Sequence, residues 1–115
     1  MQQPGKWHRA VLVSEIEDED VVGVVVVGEQ GEHEVAVYKL GGKCYATADR
    51  CTHQTARLSD GLVIDDYIEC PLHQGRFHIP TGKARSAPVS IALQTYPTKV
   101  EDGAVYVLVE GIQFD

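Results

Sequence analysis

The amino-acid sequence predicts an all-β domain, an antiparallel sandwich or small barrel. Short β-branched runs recur along the whole chain, and Gly and Asp turns separate them at short spacing. In addition, no window long enough for a helix carries a 3.6-residue apolar period behind a helix start signal. Residues 10–13 read as the first strand, and the acidic run at 15–20 as a solvated turn that could also help steer a basic partner. Residues 21–27 are nearly all valine, which favours a pleated, well-buried strand. Gln30-Gly31 turns the chain, 34–40 alternates loosely, and Gly41-Gly42 suits the positive φ angles of a tight hairpin leading into a strand at 43–48. Further turns fall at Asp60-Gly61, Asp65-Asp66, Thr81-Gly82 and Asp102-Gly103. Strands are expected between them at 67–69, 76–79, 94–100 and 104–109. There is no internal repeat, linker or low-complexity segment, so residues 1–115 read as one domain.

Composition narrows the function. With 115 residues the chain is long enough to bury a core without disulfide staples, since about two thirds of the unfolded surface is buried at this size. Its formal charge of −7 argues against nucleic acid or an anionic membrane surface as partner, because both reward clustered Lys and Arg. The longest apolar stretch, 21–27, contains a glycine and falls far below the roughly 20 residues of a membrane span. Met1-Gln2-Gln3-Pro4 carries no charged-then-apolar signal pattern, so the cytoplasm is expected.

Four potential soft metal ligands sit in two pairs. Cys51-Thr52-His53 and Cys70-Pro71-Leu72-His73 are separated by the 16 residues between His53 and Cys70. A thiolate and an imidazole this close on a tight turn can face one site; Pro71 stiffens the second turn and Gly75 permits close backbone approach. A disulfide is disfavoured in a reducing compartment, whereas a structural zinc site uses the same ligand types. Zinc modules usually space thiolates two to four residues apart. One Cys followed by one His in each loop suits thiolates on one metal and imidazoles on another.

The stretch Cys51 to Gly82, CTHQTARLSDGLVIDDYIECPLHQGRFHIPTG, resembles the cluster-binding region of Rieske [2Fe–2S] proteins. More narrowly, it is similar to the small Rieske ferredoxins that feed electrons to bacterial aromatic-ring-hydroxylating dioxygenases. The likeness extends more weakly from Gly41-Gly42-Lys43 and Tyr45-Ala46-Thr47 to the final Val-Tyr-Val strand. It implies one [2Fe–2S] cluster held at one tip of the domain, within about residues 44–90. Cys51 and Cys70 would bind the inner iron, His53 and His73 the outer one, and the loop 86–89 would cover the cluster. Neutral imidazoles leave the oxidised cluster uncharged, which is why Rieske potentials span about −150 to +300 mV against about −400 mV for plant-type ferredoxins. High-potential relatives carry an extra loop disulfide and hydroxyl donors. The corresponding positions here are Ala56, Leu72, Gly75 and Phe77, so a potential near the low end is expected.

The resemblance also implies a one-electron carrier and not an enzyme. Its partners would be a flavin-dependent NAD(P)H reductase and a terminal oxygenase, met through a small patch of Gln54, Thr55, Leu72, Gln74 and Pro88 on a monomer. Ring oxygenation needs a mononuclear iron on two histidines and a carboxylate in a substrate cavity. Beyond the four ligands only His8, His33 and His78 remain, and there is no Gly-x-Gly-x-x-Gly fingerprint. His8 and His33 read as surface residues, His78 as a strand or turn histidine, Trp7 as core edge and Cys44 as a buried, inert spare. The alternatives are a nitrite reductase small-subunit-like Rieske protein and a structural zinc or interaction module.

Overall fold

The valine-rich run forms one edge of the largest sheet. Strand β1 (Trp7–Leu12) precedes it, and β2 (Asp20–Gly28) then pairs antiparallel with β3 (Gly31–Leu40) in unbroken register from Asp20↔Lys39 to Gly28↔Gly31. The structure, a computed structural model, describes residues 6–52, 55–72, 75–85 and 91–110. Gly41 (φ 57°) and Gly42 (φ 84°) turn the chain into β4 (Lys43–Ala48), both in the left-handed region that a tight hairpin requires. A three-stranded sheet follows, made of β5 (Leu62–Ile64), β6 (Tyr67–Glu69) and β7 (Arg76–His78). The first sheet is completed by β8 (Thr95–Tyr96) in the order β2-β3-β4-β8. β9 (Thr98–Glu101) and β10 (Ala104–Leu108) join β1 in a third sheet of order β1-β10-β9. The described residues are thus almost all β, as the sequence predicts.

Two hydrophobic cores lie on opposite faces of β3. Val35 and Val37 pack with Val26, Ala46, Val105 and Val107, while Ala36 and Tyr38 pack with Leu58, Ile68, Phe77 and Ile79. All four of these consecutive β3 residues are completely buried, which is why their sequence alternates only loosely between apolar and polar. The first core supports the body of the domain; the second includes Cys51 and Cys70 and underlies the loops that follow them.

The structure departs from the expected elements in several places. The single strand expected at 94–100 breaks at Pro97, which has no N–H to donate to a ladder; β8 and β9 consequently belong to different sheets. β5 is too short to show an alternation and was not expected. Single 3₁₀ turns occupy Val13–Glu15 and Leu58–Asp60, and the rest of the acidic run is the expected turn, ending as β2 begins at Asp20. Trp7, expected at the core edge, is instead exposed (37%), with Lys99 Nζ 4.9 Å from its ring centroid. No helix among the described residues is long and apolar enough to cross a membrane.

His33 is not the plain surface residue that was expected. Its Nε2 lies 2.6 Å from Glu110 Oε2, and the Glu110 carboxylate also accepts the backbone N–H groups of Glu29 and Gln30, each at 2.9 Å. One side chain from beyond β10 therefore caps the β2–β3 turn. The His33 bond pulls the Glu110 pKa below its ordinary value; desolvation opposes this, and the two backbone bonds reinforce it. A lowered carboxylate pKa contributes stability that is complete above the unfolded-state value and lost as pH falls through the folded-state one. Glu110→Gln should therefore be less stable than wild type at neutral pH, the gap closing on acidification below about pH 4. Thermal melts followed by circular dichroism across that range check it; a gap independent of pH would refute the cap.

Candidate metal centre

Cys51 and Cys70 open two loops built in the same way. In the first, Arg50 and Arg57 form an antiparallel bridge and the Cys51 N–H donates to the Ala56 carbonyl at 3.0 Å. In the second, Glu69 pairs with Arg76 across β6 and β7, and the Cys70 N–H donates to the Gly75 carbonyl at 2.9 Å. Each cysteine thus bonds to the residue five positions on, and each loop encloses one histidine of the sequence. Those histidines, His53 and His73, lie outside the described residues, as do Gln54, Gln74, Pro88 and the rest of the 86–90 loop.

A buried carboxylate holds the first loop. Asp49, 3% exposed, accepts both the N–H and the hydroxyl of Ser59 at 2.7 Å, and its own carbonyl accepts the Leu58 N–H at 2.7 Å. Burial pushes the Asp49 pKa up, against the opposing pull of the two Ser59 bonds and the Arg57 charge. The clamp is possible because β2 carries glycine where it passes: a Cβ on Gly23 would stand 2.5 Å from Ser59 Oγ and 2.7 Å from Asp49 Oδ2. Gly61 brings the loops together, since a Cβ there would collide with the Glu69 carbonyl oxygen just before Cys70. Thr52 Oγ1 donates to the Ile91 carbonyl at 2.7 Å and ties the first loop to the chain following the 86–90 segment. Sequence reasoning did not single out Asp49, Ser59 or Gly23, and read Gly61 only as part of a turn. A glycine inside a valine strand was the available signal, because it marks close approach by another part of the chain.

The described donor set fits an iron–sulfur group. Cys51 and Cys70, 6% and 1% exposed, belong to the same apolar core as Leu58, Ile68 and Phe77. Two soft thiol ligands at the bases of matched loops, each loop containing a histidine, are the donors such a group uses. Around them, Phe77 is buried, Ala56 packs on the same core, Gly75 has no side chain and Leu72 is 64% exposed, so none of the four offers a hydroxyl or a second thiol. Cys44 corrects the expectation of burial. It is half-buried beside a surface cavity of about 320 Å³ bordered by Tyr96 and Thr98, and desolvation raises its thiol pKa against the opposing Lys39 charge. His78 is the strand histidine expected, its Nδ1 2.8 Å from Thr81 Oγ1 and its ring 5.3 Å from that of Tyr67. Of the expected docking residues, Thr55 and Leu72 are exposed; Ile91, also 64% exposed, was not among them.

Residues 6–97 match the family model described as the Rieske [2Fe–2S] domain. The chain belongs to this family, and its cofactor is accordingly a [2Fe–2S] cluster with cysteine and histidine ligands. It is 50% identical over 97 residues to the ferredoxin component of a naphthalene 1,2-dioxygenase system from Pseudomonas putida, covering 84% of this chain and 89% of that one. Among solved structures, it is similar to a ferredoxin of Sphingomonas yanoikuyae B1 (TM-score 0.82, 36% identity, 90% and 99% of the two chains covered). It also matches a chain in a complex of reduced oxygenase and oxidised ferredoxin from carbazole 1,9a-dioxygenase (TM-score 0.83, 36% identity, 94% and 97% covered). Within the family it therefore groups with the ferredoxin components of aromatic dioxygenase systems, which are electron-transfer proteins and not oxygenases.

Gly61→Ala tests how tightly the two loops are joined. The added methyl should destabilise the protein by about 1–3 kcal/mol and lower the temperature at which visible absorbance is lost. An unchanged melt would show that the Glu69 carbonyl has room to move.

Proposed function

We propose that this chain takes single electrons from a flavin-dependent NAD(P)H reductase and delivers them to a terminal oxygenase in aromatic-compound degradation, acting in the cytoplasm as a monomer. Cys51 and Cys70 serve as the thiolate ligands and His53 and His73 as the imidazole ligands. The observation that carries the reading is the pair of matched loops, each rooted on a buried cysteine of the same core and each containing a histidine. When bound, the [2Fe–2S] group supplies one-electron storage and release. The chain's own contribution is to keep the thiolates dry, hold the loops through Asp49, Ser59 and Gly61, and present the exposed side chains of Thr55 and Leu72 beside them. Weak, transient docking on a small patch suits a carrier that must leave one partner to reach the next.

Visible absorption and low-temperature EPR of the purified protein test the ligand set. Cys51→Ser and His73→Ala should each abolish the wild-type Rieske signature; a variant with unchanged spectrum and electron delivery would refute that ligand, and a colourless, zinc-loaded wild type would end the redox reading. Because Ala56, Leu72, Gly75 and Phe77 donate no side-chain hydrogen bond, redox titration should place the midpoint near the low end of the window, around −150 mV. A midpoint above about +100 mV would contradict that account.

A further inference from the structure

The outward face of the small sheet is basic, although the chain as a whole carries −7. The registers explain why. Phe77 bridges to Ala84, the His78 N–H donates to the Lys83 carbonyl and the Arg85 N–H to the Arg76 carbonyl, so residues 83–85 run beside β7 as a further short ladder. Val63, Ile68, Phe77 and Ala84 turn inward to the core. Alternation sends their neighbours outward, giving one cross-strand row of Leu62, Glu69, Arg76 and Arg85 and a second containing Tyr67, His78 and Lys83.

Within these rows only one cation is neutralised locally. Arg76 Nε lies 3.1 Å from Glu69 Oε1. Among the described residues no carboxylate pairs with Lys83 or Arg85, and both are exposed. The Arg85 guanidinium stands 5.9 Å from the Tyr67 ring centroid, held over an aromatic face and still open to solvent. Tyr67, His78, Thr81, Lys83 and Arg85 surround an open cavity of about 390 Å³. Arginine and tyrosine around a recess are residues that protein-binding surfaces favour.

Its position also matters. Arg76 directly follows Gly75, whose carbonyl closes the Cys70 loop, and Arg85 bonds to Arg76 and directly precedes the 86–90 segment. A protein that approaches the Cys70 loop from the β7 side meets this flank as well. The net negative charge of the chain opposes a negatively charged partner at a distance, so a local cluster of unpaired cations favours one orientation of approach.

We propose that this face docks a carboxylate-bearing surface segment of the terminal oxygenase, with an acidic side chain entering the recess between Lys83 and Arg85. The inference rests on the carrier reading above, in which an oxygenase is the electron acceptor. Its test uses the holoprotein reconstituted with reductase and oxygenase, comparing Arg85→Glu and Lys83→Glu with Lys43→Glu, which makes the same charge change at the β3–β4 hairpin.

Arg85→Glu and Lys83→Glu should each raise the KM for the ferredoxin at the oxygenase by about tenfold at low salt, with kcat unchanged and the difference shrinking at high salt. Visible spectrum, EPR signal, midpoint potential and the rate of reduction by the reductase should match wild type, which separates docking from damage to the metal site. Lys43→Glu should behave as wild type. An unchanged KM, an effect confined to the reductase, or an equal effect from Lys43→Glu would overturn the proposal. A wild-type holoprotein that delivers no electron to the oxygenase would overturn the carrier reading itself. One that does so, beside an Arg85→Glu variant that does so equally well, overturns this inference alone.

Discussion

Both faces of β3 are buried, and the rest of the structure is arranged around that constraint. Val35 and Val37 complete the core of the body, whereas Ala36 and Tyr38 complete the core beneath the Cys51 and Cys70 loops. A one-residue slip against β2 or β4 would exchange the two sets and place the large Tyr38 side chain where a valine belongs, so the register is strongly specified. The Tyr38 hydroxyl reinforces it. It lies 2.9 Å from Thr47 Oγ1, which donates to the Ala48 carbonyl at 2.8 Å, and burial drives the phenol pKa well above its ordinary value. From the end of this pinned strand pair the chain passes directly through Asp49 and Arg50 to Cys51. The position of the first thiol is thus inherited from strand register.

Sequence patterning revealed the parts of the fold where one physical signal dominates. Gly41-Gly42 and Asp102-Gly103, all with positive φ, placed the β3–β4 and β9–β10 turns, and the valine run placed β2. It was less informative where tertiary contacts decide. β5 exists because its three residues pair with β6; Pro97 divides two strands that composition alone would join. His33 looked like a surface residue because its partner, Glu110, lies 77 residues away. The site was legible in a similar way: the ligand candidates stood out by type and spacing, while the groups that hold their loops did not. Asp49 and Ser59 are ordinary polar residues in a string, and only folding brings them to Gly23 and buries the carboxylate.

The charge distribution changes the meaning of the net charge. An acidic total first suggests a carrier received by basic surfaces. The outward face of β5–β7 carries the opposite sign, and it adjoins the loops where partners must approach. A net charge acts at a distance and governs encounter; a local patch of the other sign acts at contact and governs pose. The two are compatible in one small protein because the small sheet has its own outward face, separate from the acidic turn before β2.

The loop-closing bonds have a consequence for how the cofactor arrives. They use the backbone N–H of Cys51 and Cys70 and the carbonyls of Ala56 and Gly75, groups that thiolate ligation leaves untouched. The Asp49–Ser59 clamp is likewise built from atoms outside the ligand set. Small zinc modules gain their fold from the metal and lose it on chelation. Here the bases of both loops are held by hydrogen bonds of their own, which ligation of a cluster does not have to build.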